Sequence, residues 1–141
     1  MNLLLVADGH YLKSIDNLIY SESVYSYDFY KRYLTTFDHI YAVVRTKNVD
    51  TITGNEKLCS GENVTFLELP EYRGPLEYAK KYLKLRKCIS QFIKKGDCAI
   101  FRLPGATANL VAKMYIKTKK PFAIEVVVDP WENFAPKSIK N

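Results

Sequence analysis

Acids, an imidazole and three guanidiniums stand where the apolar runs of this sequence stop: Asp8-Gly9-His10, Arg45-Thr46, Tyr72-Arg73-Gly74, Arg102-Leu103-Pro104-Gly105 and Asp129-Pro130-Trp131. Each cluster suits a polar ligand. The turn at Asp8-Gly9-His10 brings backbone N–H groups and an imidazole together, and His10 can serve as acid or base or hydrogen-bond an acceptor hydroxyl. Arg45, Arg73 and Arg102 carry the planar fork that grips phosphate or carboxylate in two places. Gly74 and Asp129 complete the polar set, and Trp131 offers a flat face on which a sugar can stack. Every one of these residues also has a plainer reading. His10 can be a surface turn histidine, each arginine can pair with a local acid such as Glu71 or Glu125, and Trp131 can cover the edge of the core. For Arg102 the plainer reading is preferred, because Glu125 interrupts the apolar run Phe122 to Val128 and a carboxylate there is costly unless paired.

Absent motifs narrow the chemistry. The chain has neither GxGxxG nor GxxxxGK[ST], so no cofactor and no nucleotide gripped in that manner is expected. Cys59, Cys88 and Cys98 are odd in number and form no CxxC pair, which reads as reduced thiols and no metal site. A net charge of +6 and a pI near 9.1 suit nucleic acid, an anionic membrane surface or a phosphorylated small molecule. Nucleic acid is not expected, since the charge is spread along the chain and no known nucleic-acid motif is present. Lys80, Lys84 and Lys87 make a basic stripe with Glu77 as the one nearby acid. That stripe reads first as a solvated face, with peripheral contact to the inner face of a membrane as the alternative. No run reaches the ~20 apolar residues of a membrane span. Met1 to Val6 is too short for a signal-peptide core, and the expected location is the cytoplasm.

The elements that must position these residues follow from 141 residues, of which 48% are apolar and 26% charged, a size and balance suited to one globular domain. Strands are expected over residues 2–7, 39–46, 64–69, 98–103 and 122–128, where short apolar runs meet Gly, Pro or charge. Helices are expected over residues 27–36 behind Ser26, 75–95 behind Pro75, and 106–118. Residues 8–25 read as a long loop with room for a small hairpin, and residues 48–63 as a turn-rich connection. The alternation predicts an α/β, Rossmann-like, mainly parallel sheet with helices on both faces and strand order 3-2-1-4-5. In such a sheet a ligand binds beyond the carboxyl ends of the strands, where the chemistry-bearing residues lie.

Four segments, in order, carry a resemblance: Tyr27-Asp28-Phe29-Tyr30-Lys31-Arg32-Tyr33-Leu34, Tyr72-Arg73-Gly74-Pro75, Ile100-Phe101-Arg102-Leu103-Pro104, and Glu125-Val126-Val127-Val128-Asp129-Pro130-Trp131. Together they resemble the amino-terminal domain of bacterial family 4 glycosyltransferases of capsule and exopolysaccharide assembly. The resemblance covers nearly the whole chain. It implies that residues 1–141 are the Rossmann-like, acceptor-side domain of a B-type enzyme whose nucleotide-sugar donor binds a second domain, without a required metal. The family's Glu-x7-Glu motif belongs to that second domain and is absent here. The implied ligand is a saccharide or lipid-linked sugar acceptor bound around Asp8, Gly9, His10, Arg45, Arg73, Gly74, Arg102, Asp129 and Trp131, with the cations holding a diphosphate. These residues alone are expected to be inactive and to self-associate through uncovered sheet surface. The alternative is a non-catalytic α/β module for a phosphorylated metabolite or a protein partner.

Overall fold

The computed structural model describes residues 1–127. Its elements are β1 (Asn2–Lys13), β2 (Ile19–Ser21), α1 (Tyr27–Lys31) continued by a 3-10 turn (Arg32–Thr35), β3 (His39–Asn48), β4 (Lys57–Leu58), β5 (Val64–Pro70), α2 (Gly74–Phe92), β6 (Cys98–Leu103), α3 (Ala106–Ile116) and β7 (Phe122–Val126). All seven strands join one sheet. β1 lies between β3 and β6, with β5 outside β3 and β7 outside β6, each pair parallel. β2 runs antiparallel to the end of β1, and β4 antiparallel to β2.

Burial explains why β1 is central. Leu3 to Val6 are fully buried on both faces of the sheet, as a continuous apolar strand requires. Alternate side chains serve two cores. Leu4 and Val6 pack with Val43, Leu69 and Phe101 beneath α2 and α3, whereas Leu3 and Leu5 pack with Ile40, Ala42 and Val44 beneath α1. Gly96 permits the entry to β6, since a Cβ there would sit 2.8 Å from Leu4 Cβ and 2.9 Å from its backbone N.

The expected Rossmann-like, mainly parallel sheet with helices on both faces needs correction. The sheet is a mixed one of seven strands. One face carries α2 and α3, while the other is covered by the five-residue α1, a 3-10 turn and packed aromatic side chains. The physical reason lies at Asp8-Gly9. Read as a strand end, it is an irregularity at which the register against β3 shifts between Val6 and His10. β1 then resumes, burying Tyr11 and Leu12, and β2 pairs back on it as the small hairpin for which residues 8–25 left room.

Other elements differ in extent. The helix expected over 27–36 tightens to 3-10 geometry after Lys31, and Ser26 sits at its N-cap without a side-chain capping bond. The 48–63 connection contributes β4. α2 starts at Gly74, whose φ of +78° suits glycine, with Pro75 in the first turn, and its Leu85 and Ile89 are buried. β7 forms within the strand expected over 122–128, and its Phe122, Ile124 and Val126 are exposed, with β6 its one strand neighbour among the described residues.

Candidate functional site

The shifted register of β1 puts Asp8, Gly9 and His10 beside the ends of β5 and β6 and opposite Arg45, three residues before the end of β3. Asp8 is the joint between strands and helix. Its Oδ2 accepts a hydrogen bond from the Ala108 N–H at 3.2 Å, in the first turn of α3, and its Oδ1 lies 3.7 Å from Arg45 Nη2. The carboxylate thus satisfies a helix donor from a distant strand, where charge and helix dipole agree. Gly105 makes room for it, since a Cβ there would collide with Asp8 Oδ2. Arg45 donates from Nη1 to the Tyr72 carbonyl at 3.1 Å and lies over the Tyr72 ring at 4.5 Å. The Tyr72 hydroxyl is 2.6 Å from Thr107 Oγ1.

Glu71 organises the second half of the edge. Its Oε1 is 2.9 Å from His10 Nδ1 and 3.8 Å from Arg73 Nε, and its carbonyl accepts from Lys81 Nζ. With Nδ1–H donated to Glu71, the neutral imidazole keeps Nε2 as its proton acceptor. Asp8, Gly9, His10 and Arg73 line a cleft of about 430 Å³ with Glu22, Ser23, Val24 and Tyr25. Arg45 and Gly74 line a second, of about 390 Å³, with Tyr72, Pro75, Tyr78 and Ala106. Six of the nine sequence-predicted residues therefore divide between two clefts.

Arg102 lies apart from both. Its Nε is 3.3 Å from Glu125 Oε2, and its guanidinium stacks 4.8 Å from the centre of the Phe29 ring. Its Nη1 comes within 3.5 Å of the Tyr25 hydroxyl. Tyr33 donates to Glu125 Oε1 at 2.8 Å, and burial, followed by that bond, raises the Tyr33 pKa. The pairing read from the sequence is present, but Glu125 is 36% exposed, so solvent screens it. Glu125→Ala is expected to destabilise by about 1–2 kcal/mol, below the ~3–5 kcal/mol of a fully buried pair. Urea unfolding of the two proteins measures this, and a loss under ~0.5 kcal/mol would return Arg102 to the ligand-facing set.

Four groups at this edge keep a buried polar atom without a hydrogen-bond partner among the described residues: Asp8 Oδ1, Arg45 Nε, Glu71 Oε2 and Arg102 Nε. Such atoms are uncommon, and here they gather at one edge. Sequence reasoning did not place Glu22, Tyr25 or Thr107 in the site, and it saw Glu71 as a counter-ion alone. Tyr25 left no local signal, since the return of β2 brings it to the cleft. Asp129 and Trp131 lie outside the described residues. Among the described residues no three His, Cys, Asp or Glu side chains gather as a metal-binding group, and no helix is long and apolar enough to cross a membrane.

No family model matches the chain, and no solved structure matches it. The chain is similar to protein CapJ of Staphylococcus aureus, with 34% identity over 127 residues, 90% of this chain and 32% of CapJ. It thus spans about a third of the length of this curated relative. The resemblance to family 4 glycosyltransferases has no family model behind it.

Proposed function

We propose that this chain is the acceptor-side, saccharide-binding domain of a larger nucleotide-sugar-dependent glycosyltransferase of capsule-type surface polysaccharide or glycolipid assembly. The likeness to part of CapJ supports the capsule context. One observation carries the ligand class: each arginine at the strand ends already faces a carboxylate. Arg45 lies 3.7 Å from Asp8, Arg73 3.8 Å from Glu71 and Arg102 3.3 Å from Glu125. A diphosphate would have to compete with these carboxylates. A sugar need not, because its hydroxyls donate to carboxylate oxygens and accept from guanidinium N–H groups. Asp8, Glu22 and Arg73 line the first cleft with groups of both kinds, and the Tyr25 ring supplies an apolar wall.

The same geometry supports a part in transfer. A hydroxyl in the first cleft can give its proton to His10 Nε2, and Glu71 at Nδ1 orients the ring and stabilises the imidazolium that results. The nucleotide-sugar would be held by the remainder of the larger protein. The 141 residues alone are therefore expected to give no sugar transfer, since holding both reactants supplies ~7–11 kcal/mol of such a barrier.

The test is amide chemical-shift titration of the isotopically labelled chain with a panel of neutral disaccharides and, separately, with inorganic pyrophosphate. A disaccharide is expected to shift residues 8–10, 22–25 and 71–73. Glu71→Gln should weaken that binding about tenfold, the loss of a charge-assisted hydrogen bond. Pyrophosphate shifting those residues more tightly than any sugar, with Glu71→Gln improving it, would overturn the saccharide reading in favour of a phosphorylated ligand.

A further inference from the structure

α2 turns its Leu85 and Ile89 into the core, yet the opposite face of the same helix is not simply polar. Leu76 is 69% exposed and Leu83 81% exposed, and they stand two turns apart on the outward face. Lys80, Lys84 and Lys87 surround them at helical spacings of three and four. Arg86, one turn from Leu83, leads to a groove of about 420 Å³ between α2 and α3. Tyr82, Leu110 and Met114 floor it, and Arg86, Lys113 and Lys117 rim it. Ile116, 51% exposed, extends the apolar surface at the end of α3. The two helices contain one acid, Glu77, and none of the six cations forms an ion pair among the described residues.

We infer that this α2–α3 face docks on an anionic lipid bilayer. Lysines around a helix are by themselves a solvated surface, and the discriminating feature is where the leucines lie. Two large exposed apolar side chains inside a cationic field gain nothing from water and little from a polyanion such as RNA. A bilayer surface takes both, with leucine side chains at the acyl boundary and ammonium groups at the phosphates. The groove extends the same chemistry, with an apolar floor beneath a cationic rim. Leu76 lies two residues past Gly74, which lines the second cleft, so the docked face adjoins the strand-end site. The inference stands whether or not that site binds saccharide.

Vesicle co-sedimentation tests it, using phosphatidylglycerol-containing and pure phosphatidylcholine vesicles at low and at physiological salt. The chain is expected to partition at least tenfold more strongly onto the anionic vesicles. Each lysine near such a surface contributes roughly fivefold, so Lys80→Glu, Lys84→Glu and Lys87→Glu together should reduce partitioning at least a hundredfold. Leu76→Ser with Leu83→Ser should reduce it about tenfold without changing charge, and should reduce binding that persists at high salt most. Circular dichroism verifies folding of each variant, as all five side chains are exposed. Equal binding to both vesicle types would overturn the inference. So would lysine-dependent binding that the leucine changes leave intact and that RNA reproduces, the behaviour of a general polyanion surface.

Discussion

Raising the pH from about 10 toward 12 should unfold this protein at room temperature. Tyr11 and Tyr30 are buried with their hydroxyls 2.6 Å apart, and burial raises both pKa values well above the usual tyrosine range. The Tyr115 hydroxyl is buried without a partner among the described residues, and desolvation lifts its pKa from 10.0 to about 12. Burial likewise lifts the Cys59 thiol from 9.0 to about 12. These groups are neutral when protonated, so a raised pKa means that the folded state holds the proton more tightly than the unfolded chain. Their stabilisation is complete below the unfolded values near 9 and 10 and is lost as pH climbs toward the folded values. At about 1.4 kcal/mol per unit, Tyr115 alone accounts for ~3 kcal/mol. Cys59, Tyr11 and Tyr30 add to that, against a usual domain stability of ~5–15 kcal/mol. Urea midpoints should stay flat from neutrality to about pH 9 and fall steeply beyond it, with tyrosinate absorbance rising together with unfolding. Tyr115→Phe should soften the fall. Tyrosines that ionise one by one near their free values while the fold persists would show these hydroxyls to be solvent-accessible.

Asp8→Ala should cost about 3 kcal/mol, more than its single position suggests. The substitution removes the acceptor for the Ala108 N–H at the start of α3, a loss of ~0.5–2 kcal/mol by analogy with helix caps. It also leaves Arg45, whose side chain is 13% exposed, without its carboxylate, and an unpaired charge in a partly buried place is the larger loss. Asp8→Asn keeps an oxygen for the helix and loses the charge, so it should retain roughly half of that stability. Denaturant unfolding of both variants at neutral pH separates the two contributions. Equal losses would mean that the Arg45 pairing dominates. Losses under ~1 kcal/mol in both would mean that Asp8 is held in place by the fold and contributes little to it.

Local pattern in this chain determined the strands at 39–46, 64–69 and 98–103 and the long helix opened by Pro75, since apolar period and chain-breaking residues are properties of neighbours in sequence. The same reasoning named Asp8, His10, the three arginines and the Arg102–Glu125 pair, because charge at the end of an apolar run is visible without coordinates. It failed where the decisive partner is remote. Asp8-Gly9 reads as a stop, but β3 pairs again with His10 to Lys13 beyond it, and that renewed pairing buries Tyr11 and turns the next segment into β2. A parallel sheet with two helical layers became a mixed one for that reason. The FAIEVVV run reads as a strand, and the burial of its first five residues depends on what covers them, a question of packing and not of composition. The site changed in the same way. In sequence the guanidiniums of Arg45 and Arg73 suggest an anion, whereas folding sets each beside a carboxylate and joins His10 to Glu71 across 61 positions of sequence. Residue types settled which groups are present at the strand ends; the distances between elements decided which charges they neutralise, and so what kind of ligand they suit.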